Sequence, residues 1–395
     1  MPAGTRRLNE LREVIETLAA VERPSVSEGE ARAARWIAER LESLGCDVEV
    51  DEEPAYGHFW RPLFALTAAG ALAGRMVLRG RRRHGSALAL LAAAGIADEI
   101  ALGPYLTRRA VYRRGTTTNV VATAGDRDAE RTLVVLAHHD AARAGIAFSQ
   151  RPQKWLWRRF PDYIASHDTS APAWFPVIGA PLLVALGGLL GRRGIARTGA
   201  VMCGTSALTF ADMGMHRSVP GANDNLTAVA MLVELARTFR EDPLENLRVL
   251  LVSCGSEETL QEGVRAFGRR RFGELPRDRT WFLNIDSVGS SELVPLESEG
   301  SLVMRDYDHD FLDFVCESAA EAGVPLRRGS RSWTSTDGCV PLVAGYPTAT
   351  LVSLTPWKTI ANYHSPADTP ENVDYGTVEQ AVAVAERVAR QLGEA

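Results

Sequence analysis

A chain of 395 residues, 46% hydrophobic and 24% charged, is long enough for one large or two ordinary domains with apolar cores. Its net charge of −5 argues against nucleic acid as a partner. Five cysteines (Cys46, Cys203, Cys254, Cys316, Cys339), an odd number with no C-x-x-C pair, argue against a disulfide frame or zinc knot and for free thiols in a reducing compartment.

In chain order, residues 1–22 read as a charged helix, centred on Thr5–Val21, and not as a secretory leader. Ser27 caps a second helix, with Glu30 completing a capping box, and Ala34, Ile37, Ala38, Leu41 and Leu44 recur at helical spacing. Residues 46–50 alternate as a strand. Two apolar hairpins with basic tips follow, one over 58–106 and one over 171–212. Their uncharged stretch Ala171–Gly191 is about as long as a bilayer span. Flanking Arg residues and the run Lys154–Phe160 suit an interface with lipid, while Arg75, Asp98, Glu99 and Arg197 interrupt the apolar segments and suit a packed helical subdomain. The expectation drawn from this balance is membrane association through 58–106 and 171–212, hence transmembrane helices and a cell-membrane location, with a cytoplasmic one as the fallback.

The remainder alternates strand and helix. Strands are expected at 119–124, 132–137, 247–252, 280–285 and 348–354, and helices at 226–239, 260–272, 309–322 and 375–392. This order predicts an α/β fold, a mainly parallel central sheet flanked by helices with the apolar hairpins inserted. The domain reading divides the chain into a catalytic body of 1–57, 116–150 and 216–395, interrupted by insertions at 58–115 and 151–215.

In such a sheet, ligands gather where strands end. His138-His139-Asp140 follows the strand at 132–137. Glu257-Glu258 follows that at 247–252, Asp286 follows that at 280–285, and His364 lies in a loop after that at 348–354. Asp224, in Gly221–Thr227, opens the helix after the second hairpin; its first reading is a helix cap, its second a metal ligand. Two histidines and several carboxylates, without thiols, suit zinc or a similar divalent metal. Asp140, two residues from His138 in extended chain, shares its side and can hold its ring. Adjacent Glu257 and Glu258 point differently, so one can bind metal while the other stays free as a base.

The ordered motifs His-x-Asp, Gly-Ala-x-Asp-Asn, Glu-Glu, Asn-x-Asp and Tyr-His-Ser-Pro-Ala-Asp-Thr resemble the di-zinc aminopeptidase family of peptidase clan MH, over roughly 120–145 and 219–394 plus the capped helix at 27–44. The bacterial leucyl aminopeptidases and glutamate carboxypeptidases belong to it or near it. The resemblance implies two zinc ions: His138, Asp224 and Asp286 on one, Asp224, Glu258 and His364 on the other, with Asp224 bridging. It implies Glu257 as general base, Asp140 as the residue orienting His138, and a peptide or aminoacyl substrate cleaved by an aminopeptidase or dipeptidase, an exopeptidase.

The chain departs from that family in three places. About eighty residues separate Asp140 from Asp224 where the family usually has a short loop, Thr336-Asp337-Gly338 stands where members often carry Ser-Asp-His, and His139 has no assigned role. Rival readings are a non-catalytic binding or scaffold protein on the same fold and a glutaminyl-cyclase-like acyltransferase, typically with one zinc. Neither substrate side-chain preference nor oligomeric state is legible.

Overall fold

The computed structural model describes residues 3–394. Helix α1 (Ala3–Ala19) buries Leu11, Val14, Ile15 and Leu18, four positions on one face at helical spacing. Helix α2 (Glu28–Ser43) is capped as its sequence predicts, Ser27 Oγ accepting from Glu30 N at 3.1 Å. The Glu30 carboxylate reaches back to Val26 N at 2.8 Å and also accepts from Thr117 and Ser256, so this cap residue pins two later segments. Strand β1 (Asp47–Ala55) leads into α3 (Trp60–Leu78), α4 (Arg82–Ile100) and the short α5 (Leu106–Val111). Strands β2 (Gly115–Gly125) and β3 (Thr132–His138) precede α6 (Arg151–Arg159), α7 (Pro161–Ala165), α8 (Trp174–Leu189) and α9 (Arg193–Met215). Then come α10 (Thr227–Glu241), β4 (Arg248–Cys254), α11 (Glu262–Arg271), β5 (Thr280–Asp286), β6 (Glu292–Glu299), β7 (Arg305–Asp306) and α12 (His309–Glu321). The chain continues through β8 (Ser330–Ser332), α13 (Cys339–Val343), β9 (Thr348–Leu354) and α14 (Tyr375–Glu394).

The strands form one sheet in the order β1-β2-β4-β3-β5-β9-β6-β7, with β8 on β6. Helices α1, α2, α10, α12 and α14 cover one face over the larger core, and α11 with α13 covers the other. The expected mainly parallel sheet is wrong: the sheet is mixed. The β3–β4, β3–β5, β5–β9 and β6–β8 pairs are parallel, and the β1–β2, β2–β4, β6–β9 and β6–β7 pairs are antiparallel. The physical reason lies in what an apolar run records. Val120, Val121 and Ala122 of β2 are buried because both sheet faces are covered there, and burial carries no strand direction. Strand β6 has only the short apolar run Leu293–Leu296, carrying Pro295 and flanked by three glutamates, a weak strand signal.

The expected transmembrane helices, membrane partner and cell-membrane location are also overturned. Among the described residues no helix is long and apolar enough to cross a membrane. The uncharged stretch at 171–191 yields only the 16-residue α8, which carries Pro181 inside it. At about 1.5 Å per residue it reaches some 24 Å, short of a hydrocarbon core of about 30 Å. Helices α3, α4, α8 and α9 instead pack on one another, burying Ala73, Val77, Ala89, Ala180, Val184, Ala196 and Cys203. Small residues permit that approach: a Cβ added at Gly74 would lie 2.4 Å from Cβ of Ala200. The outer face keeps Leu72, Leu91, Leu189 and Leu208 exposed, and these gave the segments their bilayer-like composition. In the run at 154–160, α6 rests on the body through Trp157 against Trp357 and Lys154 over the Trp357 ring, while Trp155, Leu156 and Phe160 stay exposed.

Candidate metal centre

His138 closes β3, Asp286 closes β5, and Glu257 and Glu258 follow β4, so three parallel neighbours deliver their terminal residues to one rim. The loop after β9 brings His364, and the turn before α10 brings Asp224. His138 Nε2 stands 3.3 Å from Asp224 Oδ1, and His364 Nε2 stands 3.2 Å from Asp224 Oδ2 and 3.1 Å from Glu258 Oε2. Two groups result, His138–Asp224–Asp286 and Asp224–Glu258–His364, each with its ligand atoms within 4.8 Å of one another. They share Asp224, which presents one oxygen to each histidine. A third grouping joins His138 to Glu257 and Glu258.

The geometry of Asp224 departs from the capped-helix reading. Helix α10 begins at Thr227 without a side-chain cap, and Asp224 (φ −110°, ψ 89°) and Asn225 (φ −136°, ψ 38°) are not helical. The turn is held from outside. Asp368 accepts from Asn223 N at 2.7 Å and from Asp224 N at 3.1 Å. Asn225 donates to Ile285 O and accepts from Ser287 N, and Asn223 accepts from Gly289 N, tying the turn to the end of β5. Buried Arg23 donates to the carbonyls of His139, Pro220 and Gly221, clamping the same turn to the end of β3. The asparagines flanking Asp224, and Asp368 in the motif of His364, offered a signal for these anchors. Arg23 offered none.

Asp140 does more than its sequence spacing implies. Its Oδ1 is 3.4 Å from His138 Nδ1, consistent with holding the ring. The same carboxylate accepts from Ser25 Oγ at 2.6 Å, Glu257 N at 3.0 Å and Glu258 N at 3.1 Å, so one buried group lies beside the histidine ring and holds the backbone of the acidic pair. The acidic pair sits in a turn where Ser256, Leu260 and Gln261 have positive φ (52°, 70° and 60°). Each such conformation costs a side-chain-bearing residue about 1–2 kcal/mol, which the surroundings must offset. His139, unassigned from sequence, lies under the sheet against Ser253 Oγ at 2.9 Å, and burial lowers its pKa to about 4.

Titration reflects this crowding of acids. Burial, then the charge of Asp224, raises Asp286 to about 6. Burial likewise raises Glu258 to about 7, against the pull of His364. Burial opposes charge on His364, but Glu258 and Asp224 outweigh it and hold its pKa at about 10. Burial acts to raise Asp224 too, yet bonds to His138 and His364 keep it below the usual carboxylate range. Glu257 is pushed well up, chiefly by burial.

The donors fit a pair of divalent cations. All are imidazole nitrogens or carboxylate oxygens, the set suited to zinc or a similar metal. Asp224 Oδ2 and Glu258 Oε1 are buried without a hydrogen-bond partner, which a bound cation would supply. A cavity of about 90 Å³ opens onto Asp224, Glu257, Asp286 and His364, with Leu296, Val352, Leu354 and Ile360 among its apolar walls. Phe148, just before the second insertion, packs edge-on against His364 at 4.3 Å, and Tyr363 stacks on the same ring at 3.8 Å.

Thr336-Asp337-Gly338 also has a physical account. A Cβ at 338 would lie 2.4 Å from Thr350 Oγ1 and 3.0 Å from the Tyr307 hydroxyl, so a histidine does not fit there. Asp337 is buried, neither of its oxygens has a hydrogen-bond partner, and burial raises its pKa far above the usual range. The Cys254 thiol beside it is also kept protonated by burial, and all five cysteines are free.

Comparison with known proteins agrees with this picture. Residues 207–389 match the model of Peptidase family M28. No curated protein matches the chain by sequence. Solved structures do match by fold. An aminopeptidase from Aneurinibacillus sp. strain AM-1 superposes with a TM-score of 0.57 at 14% identity, covering 97% of this chain and 93% of its own. A zinc aminopeptidase from Bacillus subtilis gives 0.53 at 14% identity, over 97% and 94%. A glutaminyl cyclase from Fimbriiglobus ruber gives 0.56 at 15% identity, over 98% and 94%. The fold is thus the one shared by these aminopeptidases and cyclases, as the motif resemblance implied, and the two ligand groups that share Asp224 are suited to a pair of metal ions whose identity is open.

Proposed function

We propose that this chain, which carries the M28 match and a two-metal site, is an exopeptidase that hydrolyses the amide bond of a short peptide or aminoacyl substrate, with Glu257 as general base. The observation that carries the reading is the placement of Asp224 between two complete ligand groups while Glu257 stays available beside them. In this reading His138, Asp224 and Asp286 hold one zinc ion, and Asp224, Glu258 and His364 hold the other. When bound, the metals polarise the scissile carbonyl and lower the pKa of the attacking water.

The protein's own residues do the rest. Glu257 Oε1 accepts from Gln261 Nε2 at 3.1 Å, which fixes the carboxylate, and Oε2 faces His138 Nε2 at 3.9 Å. A buried carboxylate with raised proton affinity can take a proton from the attacking water and deliver it to the leaving amine. Asp140 keeps the base and its neighbouring ligand in fixed relation through their backbone amides. The cavity beside the ligands, with Leu296, Val352, Leu354 and Ile360 among its walls, gives an apolar substrate side chain a place to bind. We further take 1–57, 116–150 and 216–395 as the catalytic body and 58–115 and 151–215 as inserted modules.

Zinc-loaded protein assayed on aminoacyl-anilides and dipeptides tests the reading. Wild type should turn over, and Glu257→Gln should fold and bind metal but lose turnover by about 10²-fold or more. Wild-type turnover in Glu257→Gln would remove Glu257 from its role. A saturated metal content near one per chain would favour the cyclase-like alternative.

A further inference from the structure

The first inserted hairpin contains a feature its apolar composition does not explain: a wholly buried arginine, Arg108, in α5. A buried guanidinium persists only with close partners. Its Nε donates to Glu99 Oε2 of α4 at 2.5 Å. Its Nη1 donates to the carbonyl of Thr259 at 2.8 Å and lies 3.2 Å from Glu262 Oε2. The adjacent Tyr105, packed between the guanidinium groups of Arg108 and Arg265, donates its hydroxyl to the carbonyl of Leu260. The entry to the same insertion is fastened at the same place, Tyr56 N and Gly57 N donating to the Glu262 carboxylate at 2.9 and 3.0 Å. Both ends of the hairpin thus close on residues 259–262.

That segment is the second half of the turn that carries Glu257 and Glu258. The first half is held by the body, through Asp140 on the amides of Glu257 and Glu258 and Glu30 on Ser256. The second half contains Leu260 and Gln261, consecutive residues at positive φ, a conformation that persists only when the surroundings impose it. The carbonyl before that pair, of Thr259, and the one within it, of Leu260, are those that Arg108 and Tyr105 hold.

We infer that the first inserted hairpin is a brace for the active site: Arg108 and Tyr105 are positioning residues that hold the 256–262 turn, and through it Glu257 and Glu258, in register with the other ligands. The functional consequence rests on the two-metal hydrolase reading, whereas the mechanical one does not. Displacing a general base by about 1 Å can cost on the order of 10²-fold in rate.

Two variants test it. Tyr105→Phe keeps the ring and removes one hydrogen bond. Arg108→Lys keeps the charge and removes the fork. Hydrogen exchange on metal-free protein should show amides of 256–262 exchanging about 10-fold faster in both variants, with β3 and β4 unchanged. In zinc-loaded protein, kcat should fall about 10-fold with KM within about two-fold of wild type. Wild-type exchange across 256–262 in folded Tyr105→Phe overturns the brace, as does faster exchange with unchanged kcat in an active enzyme. Should Arg108→Lys fail to fold, Tyr105→Phe alone decides. Because exchange needs no substrate, an altered exchange pattern in a chain that cleaves no peptide would retain the brace and reject the hydrolase.

Discussion

Replacing Asp140 by asparagine changes one atom and probes the whole rim. The carboxylate accepts from Glu257 N through Oδ1 and from Glu258 N and Ser25 Oγ through Oδ2. An amide has one acceptor oxygen, so in either orientation its NH₂ faces a buried backbone N–H. One backbone donor is then stranded, at about 1–3 kcal/mol, and the remaining bonds lose their charge assistance, at about 1–2 kcal/mol more. The expected loss of stability is about 2–5 kcal/mol in metal-free protein, a large share of the 5–15 kcal/mol typical of a domain. His138 loses the negative charge 3.4 Å from its Nδ1, so zinc affinity should fall about 10–100-fold. Urea unfolding without metal reads the first quantity, and competition with a chromophoric chelator reads the second. Ser25→Ala, which removes a single neutral donor, should cost only about 1 kcal/mol. If Asp140→Asn unfolds within about 1 kcal/mol of wild type and binds zinc equally well, then Asp140 does not organise the rim as described.

Further outcomes follow from other parts of the structure. Glu299 is buried, accepts from Tyr307 and Thr336, and has its pKa raised, chiefly by burial, from 4.5 to about 8. The folded state therefore binds more protons than the unfolded one between these values, so stability falls as pH rises from about 5 to about 8, by up to about 4–5 kcal/mol. Glu299→Gln should flatten that slope in urea titrations at several pH values; an unchanged slope would show that Glu299 ionises normally. Gly74→Leu should push α3 off α9 and lower stability by about 1–3 kcal/mol, read as a drop in Tm, whereas a Tm at the wild-type value would mean that the helices do not approach as closely as described. Gly338→His, placing there the residue the family resemblance implied, should destabilise the protein by a similar amount because Thr350 and Tyr307 occupy the space; a folded, equally stable variant would reject that account.

The ligand rim was legible in the sequence because chemistry and position coincide there. Each of His138, Glu258 and Asp286 follows a short apolar run of strand length, and the structure brings all three together with Asp224 and His364. Strand direction was not legible, since β2 is apolar for the same reason as β3, burial on both faces. The hairpins misled because contact with lipid and contact between closely packed helices select similar residues. Gly74 against Ala200 and Leu72 in the open are equally apolar in a sequence. Long-range polar anchors were the hardest to see. Arg23 and Arg108 look like surface charges until the carbonyls they hold, at Gly221 and Thr259, are placed around them. Glu30 was visible as a helix cap, but its bonds to Thr117 and Ser256 depend on the tertiary fold.

The central claim is that Asp224 is shared by two metal ions. It is tested most directly by the zinc content of wild type and Asp224→Ala, measured at saturation on protein shown by circular dichroism to be folded. The shared site predicts two zinc ions per wild-type chain and loss of tight binding at both positions in the variant. A folded wild type holding one zinc or none, or a variant that keeps one tightly bound, would contradict it.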